Sequence, residues 1–182
     1  MNQTNFPLIA LSVRQPSAWA IIHGGKDIEN RSIGSVRAGR MEPGRICLHA
    51  AVGMSQDEYR YITMRMGEIG CVAPPPGKLV RRAIIGIVDV VDIVKPEETD
   101  SLWMARASAT PESRGLVLEN PQPIEPIPAA GALGYFEWEE SGELAPVQSW
   151  MRKWDETNGD AQTGSLFDGL ERSFETPPKR PW

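Results

Sequence analysis

The chain has only two cysteines, Cys47 and Cys71, and no Cys-x-x-Cys pair. That excludes a disulfide-stapled secreted scaffold and the usual cysteine-rich zinc modules. Met1 to Ala10 carries no basic stretch ahead of an apolar one, so no secretion signal is read there and a reducing, cytoplasmic setting is expected. The longest apolar run, Ala83 to Val88, is stopped by Asp89. It falls far short of the ~18 residues that span a bilayer, and no membrane partner is expected. An overall basic charge is also missing. The formal net charge is −5, which argues against a protein that coats nucleic acid, because phosphate attraction needs a basic surface.

What the chain does have is 182 residues with a 41% hydrophobic share, enough for one domain with a real core. Its 17 Gly and 16 Pro point to many turns between short strands. Residues 8 to 14 read as a strand, followed by a short helix with Pro16 in its first turn and Gly24-Gly25 at its end. Arg45 to Ala50 alternates as a strand. Ser55 and Glu58 form a capping box that opens a helix from about Gln56 to Gly67. Arg82 to Val94 is apolar on both faces and reads as a central strand. Gly115 to Asn120 is a further strand, expected to stop at Pro121, and Gly131 to Trp138 supplies the last. Val147 to Trp154 can form a helix with Val147, Trp150, Met151 and Trp154 on one stripe. No repeat is visible. The expected class is α+β, a small barrel-like sheet with flanking short helices. The expected divisions are a domain over 8–142, a helix over 143–154 and a polar tail over 155–182.

Chemistry concentrates in Gly24-Gly25-Lys26-Asp27-Ile28-Glu29-Asn30-Arg31. If extended, this segment puts Glu29 and Arg31 on one face and Lys26 with Ile28 on the other; if it turns early, Lys26 and Glu29 meet. Such a constellation can grip a phosphate or base edge, or hold a lysine beside a proton-shuttling carboxylate. On the residues alone, a charge-blunted, solvated strand edge is the plainer explanation. Asp89 interrupts the row Ile85, Ile87, Asp89, Val91, Ile93, where a buried carboxylate needs a partner such as Lys26 or Arg31. It can equally meet water at a bulge. Glu29 and Asp89 would favour the charged form of Lys26, which suits proton relay or orientation better than an unaided lysine nucleophile.

The pattern Gly24-x-Lys26-x-x-Glu29-x-Arg31, preceded by Leu11-Ser12-Val13-Arg14-Gln15-Pro16, resembles the signature of the ASCH domain family, a PUA-like group. The Ile46–Ala50 strand, the Ala83–Val88 strand and the Gly115–Asn120, Pro126–Pro128 and Gly131–Gly134 segments follow in the family's order, covering about residues 8 to 140. Ser17 departs from the aromatic residue many members carry there. The resemblance implies a small PUA-like β-barrel with a cleft beside the motif that takes RNA or a nucleotide. Some similar proteins remove an acyl group from a modified cytidine, using the motif lysine, a hydroxyl residue three positions on and a later acid. Lys26 matches that lysine, while Glu29 takes the hydroxyl position.

Weaker candidates complete the inventory. Cys47, His49, His23 and Cys71 match no zinc spacing, and neither metal nor cofactor is expected. Ser12 with His23 or His49 has the residue types of a nucleophile and base, without a G-x-S-x-G turn. Trp19, Trp150 and Trp154 read as core, leaving Trp103 as the stacking candidate. Arg31, Arg37, Arg40 and Arg45 can line a phosphate track or simply sit in a solvated loop.

Three readings follow. The first is RNA or nucleotide binding in a cleft of Ser12, Gln15, Lys26, Glu29, Arg31 and Asp89, with Arg37, Arg40 and Trp103 at its margins. The second is an amidohydrolase-type enzyme on a modified cytidine nucleoside, using Lys26, Glu29 and Asp89. The third is a protein-interaction adaptor built on the tail and Trp150/Trp154. The net charge hides an asymmetry: residues 1–90 hold 11 Lys/Arg against 7 Asp/Glu, and residues 91–182 hold 8 against 17. A local site in the mildly basic half is therefore compatible with the acidic total.

Overall fold

The computed structural model describes residues 6–105 and 109–158. The chain runs β1 (Ile9–Val13), α1 (Ser17–His23), β2 (Ile28–Ser32), α2 (Ile33–Ala38), β3 (Gly44–Ala50) and α3 (Gln56–Glu68). It continues through β4 (Ala83–Val94), β5 (Ser113–Pro128), β6 (Tyr135–Glu137) and α4 (Ser149–Asn158), with single 3-10 turns at Pro76–Lys78 and Pro96–Glu98. The six strands form one sheet in the order β2-β5-β4-β3-β1-β6, curled into a half-barrel in an α+β fold. Only β1 and β3 are parallel; the other neighbours are antiparallel. Among the described residues no helix is long and apolar enough to cross a membrane.

β4 is central, paired with β3 and β5, as its two apolar faces demand. Its register with β5 slips three times, between Ile84 and Gly86, between Ile87 and Asp89 and between Val90 and Asp92. A bulge bends its strand, and the extra residue of β4 near Ile85, seen also in the pairing with β3, reverses which face the next side chains take. Ile85, Val88 and Val90 therefore join Leu11, Val13, Ile46, Leu48, Leu116 and Leu118 in the main core, with Ile21 and Ile22 of α1 and Val36 of α2 packed among them. Ile84 and Ile87 lie on the opposite, convex side with Ala10, Cys47 and Ala129. The single face read over Ile85, Ile87 and Asp89 is split by the first bulge.

β5 departs further from expectation. It does not stop at Pro121 but runs through Pro121, Pro123, Pro126 and Pro128. Beyond Leu118 it has β4 on one side and, among the described residues, no strand on the other, so a missing proline N–H can face the open side at no cost to the ladder.

The capping box forms as read: Ser55 Oγ accepts from the Glu58 amide and the Glu58 carboxylate from the Ser55 amide. α4 covers a separate apolar cluster of Met54, Tyr59, Leu79 and Met151, with Trp19, Trp150 and Trp154 against it. The link to α4 is held by two consecutive arginines. The buried Arg81 donates to Val52 and Pro146 carbonyls, and Arg82 donates to Ser141 and Glu143 carbonyls. Residues 159–182, most of the expected tail, lie outside the described residues. Met151 is fully buried. Met151→Ala should cost about 2–5 kcal/mol in urea unfolding if α4 belongs to the cooperative unit; a value near zero would show that it does not.

Candidate functional site

Gly24 and Gly25 end α1, and Lys26 enters before β2 begins, its amide bonded to the Ala20 carbonyl. This early turn brings the Lys26 ammonium to 2.7 Å from Glu29 Oε2, and the same nitrogen donates to the Ile28 carbonyl. Lys26 is 6% exposed. Two of its three donor positions are thus occupied in the protein interior. Glu29 Oε1 lies 3.3 Å from Arg31 Nη2. Both alternatives drawn from the sequence hold together: β2 is extended, so Glu29 and Arg31 share a face, and the turn before it lets Lys26 reach the same carboxylate.

Glu29 pairs with Leu116 across the β2-β5 ladder, which places it on the main-core side of the sheet. Burial alone would raise its pKa, but Lys26 and Arg31 outweigh that and hold the carboxyl below its ordinary value of 4.5. Glu29 is consequently a fixed anion, a poor proton acceptor near neutral pH.

Arg31 does more than pair with Glu29. Its Nη2 donates to the Ser12 carbonyl on β1 at 2.8 Å. Since β2 is first in the sheet and β1 fifth, this bond spans the open mouth of the half-barrel. Arg31 Nε is buried and, among the described residues, has no acceptor. Tyr135 on β6, absent from the sequence candidates, belongs to the same mouth; its hydroxyl donates to the Glu42 carbonyl at 3.0 Å. Burial and Glu42 push its phenol up to about 12, against a downward pull from Arg31. Only its place in the Gly131–Trp138 strand, with a register that faces the core, would have revealed it.

The other sequence candidates go elsewhere. Asp89 lies on the convex side beyond the bulge, where it accepts from Asn120 Nδ2 at 2.9 Å and sits 3.6 Å from Arg45 Nε. Its partners are these two and not Lys26 or Arg31. Gln15 is buried and committed to structure, donating to the Val80 carbonyl and accepting from the Trp19 amide. Ser12 contributes its carbonyl to the mouth, but its side chain lies on the convex face, opposite His49 in the β1-β3 register. Arg37 and Arg40 are exposed, on α2 and the turn after it. Trp103 packs beside Ala20, Met66 and Ala73, and its carbonyl accepts from Asn30. Among the described residues no group of three or more His, Cys, Asp or Glu could hold a metal.

Fold and site together define an α+β domain whose curled sheet carries, at its mouth, a Lys-Glu-Arg triplet with a buried lysine and a partly buried glutamate and arginine. The chain is similar to an ASCH protein of Zymomonas mobilis, at 16% identity and a TM-score of 0.36, over 82% of this chain and 93% of that one. A serine-to-alanine mutant of the Zymomonas mobilis ASCH protein gives 15% identity and a TM-score of 0.37, over 80% of this chain and 91% of that one. No protein-family model and no curated protein matches the chain.

The triplet makes stability depend on acid. Glu29 has a depressed pKa in the folded chain, so its contribution is complete above 4.5 and is lost as pH falls from there through the folded value. His49 also has a depressed pKa, because burial disfavours its cation, the Ala129 carbonyl pulls the other way and Arg82 adds to the depression. Its contribution is lost earlier, as pH falls below its ordinary 6.5. Urea titrations from about pH 7.5 down to pH 3 should show two declining arms. Glu29→Gln should abolish the lower arm and leave the upper one.

Proposed function

We propose that this chain is an ASCH-like, PUA-type domain that binds a short stretch of RNA or a nucleotide at the mouth formed by Lys26, Glu29, Arg31 and Tyr135. The observation that carries this reading is the Arg31 guanidinium, fixed by Glu29 and the Ser12 carbonyl yet left with a buried Nε–H that has no acceptor. An unsatisfied buried donor costs about 1–3 kcal/mol. An incoming phosphate or base-carbonyl oxygen would relieve that cost. The triplet has two cations and one anion, so it favours an anionic or strongly accepting ligand. Arg37 and Arg40, exposed nearby in the chain, supply the same sign of charge for a flanking phosphate. The Gly24-x-Lys26-x-x-Glu29-x-Arg31 resemblance points to the same place and the same ligand class.

The geometry does not favour acyl removal by a Lys26–Asp89 pair. Asp89 lies across the sheet with its own partners, and Glu29 is held ionised.

Fluorescence anisotropy with labelled single-stranded RNA, repeated with mononucleotide competitors, tests the proposal. A pocket that meets one or two phosphates gives a log–log salt slope of about −1, whereas a coating surface gives a several-fold steeper one. Arg31→Lys keeps the charge but removes Nε and the planar fork, and should weaken binding about tenfold with the fold intact by circular dichroism. A steep slope, or affinity indifferent to Arg31→Lys, would place the ligand elsewhere.

A further inference from the structure

On the convex face, away from the triplet, Ser12 Oγ lies 2.9 Å from His49 Nδ1, and His49 Nε2 lies 3.1 Å from the Ala129 carbonyl. A carbonyl oxygen can only accept, so Nε2 carries the proton and Nδ1 presents a lone pair. The Ser12 hydroxyl must therefore donate to Nδ1. This is the relation of a nucleophile to its base, with the base held in one tautomer by a third group.

The surroundings support more than a buried hydrogen bond. His49 is 1% exposed and is gripped edge-on by Phe136, with ring centroids 5.9 Å apart. Burial disfavours its cation, so the imidazole is neutral at neutral pH and its Nδ1 lone pair is free to accept the Ser12 hydrogen bond. Ser12 is only partly buried, and the segment over the pair, Gly131-Ala132-Leu133, is exposed. A Cβ on Gly131 would stand 2.7 Å from Ser12 Oγ and would also strike the His49 ring. Only glycine leaves the pair undisturbed at that surface. Ser12 is additionally anchored through its carbonyl by Arg31, so its backbone is fixed from the other side of the sheet.

We propose that Ser12, with His49 as general base, is a nucleophile for acyl groups, so that the chain hydrolyses small carboxylic esters at a site distinct from the triplet. Ser12 Oγ adds to the ester carbonyl carbon while its proton passes to His49 Nδ1. The carbon–oxygen bond to the leaving group then breaks, and the departing alkoxide takes that proton as the alcohol. Water then adds to the acyl carbon as its proton passes to the same nitrogen, the bond from that carbon to Ser12 Oγ breaks, and Oγ takes the proton back as the carboxylic acid leaves.

The test is a fluorophosphonate probe on the full chain, with the labelled peptide mapped. Attack by Ser12 expels fluoride and leaves a phosphonyl group on Oγ. The expected result is labelling at Ser12 in the native protein, absent from the heat-denatured protein and from Ser12→Ala. His49→Gln should slow it by about a hundredfold, the scale of a general base. Gly131→Ala keeps both residues but displaces them, and should slow it comparably; it decides the case if His49→Gln fails to fold. Absence of native labelling at Ser12, or labelling indifferent to both variants, overturns the proposal.

Discussion

A half-barrel is an open sheet, and here its mouth is spanned by a side chain. The Arg31 guanidinium on the first strand in sheet order reaches the carbonyl of Ser12 on the fifth. A backbone ladder at that place would close the barrel and fill the gap with main chain. A guanidinium bridges the same distance through one nitrogen, Nη2, which meets both the Ser12 carbonyl and Glu29. The position of Glu29, and through it of Lys26, follows from this bond, since the carboxylate must sit where it can hold the fork from behind.

Burying three charges is expensive, and the arrangement shows how the expense is limited. Each Glu29 oxygen faces a cation, and Lys26 has a carbonyl as well as the carboxylate. Replacing such a cluster by apolar residues is often neutral or stabilising, so the triplet is poor evidence of a device for stability alone. Its excess of one positive charge and its unsatisfied donor are what the proposed nucleotide site rests on. The apolar load is borne elsewhere, by Leu11, Leu48, Val88 and Leu116 under α1 and by the Met151 cluster under α4.

Much of this was readable in the residues. Local rules decide the capping box at Ser55, the central placement of β4 and the apolar stripe of α4, and local rules are visible in a sequence. The Lys26–Glu29 contact was legible for the same reason, as a three-residue spacing after a Gly-Gly break. What failed was phase. An alternating pattern extrapolated through β4 assumes no bulge, and one extra residue near Gly86 sent Asp89 to the other side of the sheet. The proline rule failed in β5 because it presumes neighbours on both sides, and no neighbour count can be read from the strand itself. Gln15 was placed in the cleft with the segment that precedes the motif; one of its two structural hydrogen bonds is local, from the Trp19 amide, but the other depends on Val80, far along the chain. The Ser12–His49 pair was considered as residue types, but nothing short of the parallel register of β1 and β3 would choose His49 over His23.

The same four prolines bear on how copies of this chain meet. A long strand with one bare side is ordinarily a template, since its free amides and carbonyls invite another strand to add and a row of chains to zip together. From Pro121 to Pro128 four of the eight residues have no amide hydrogen to offer. A strand arriving at that edge would find an interrupted row of donors. The sheet can thus remain open, with an accessible mouth, without becoming a seed for fibrous self-association.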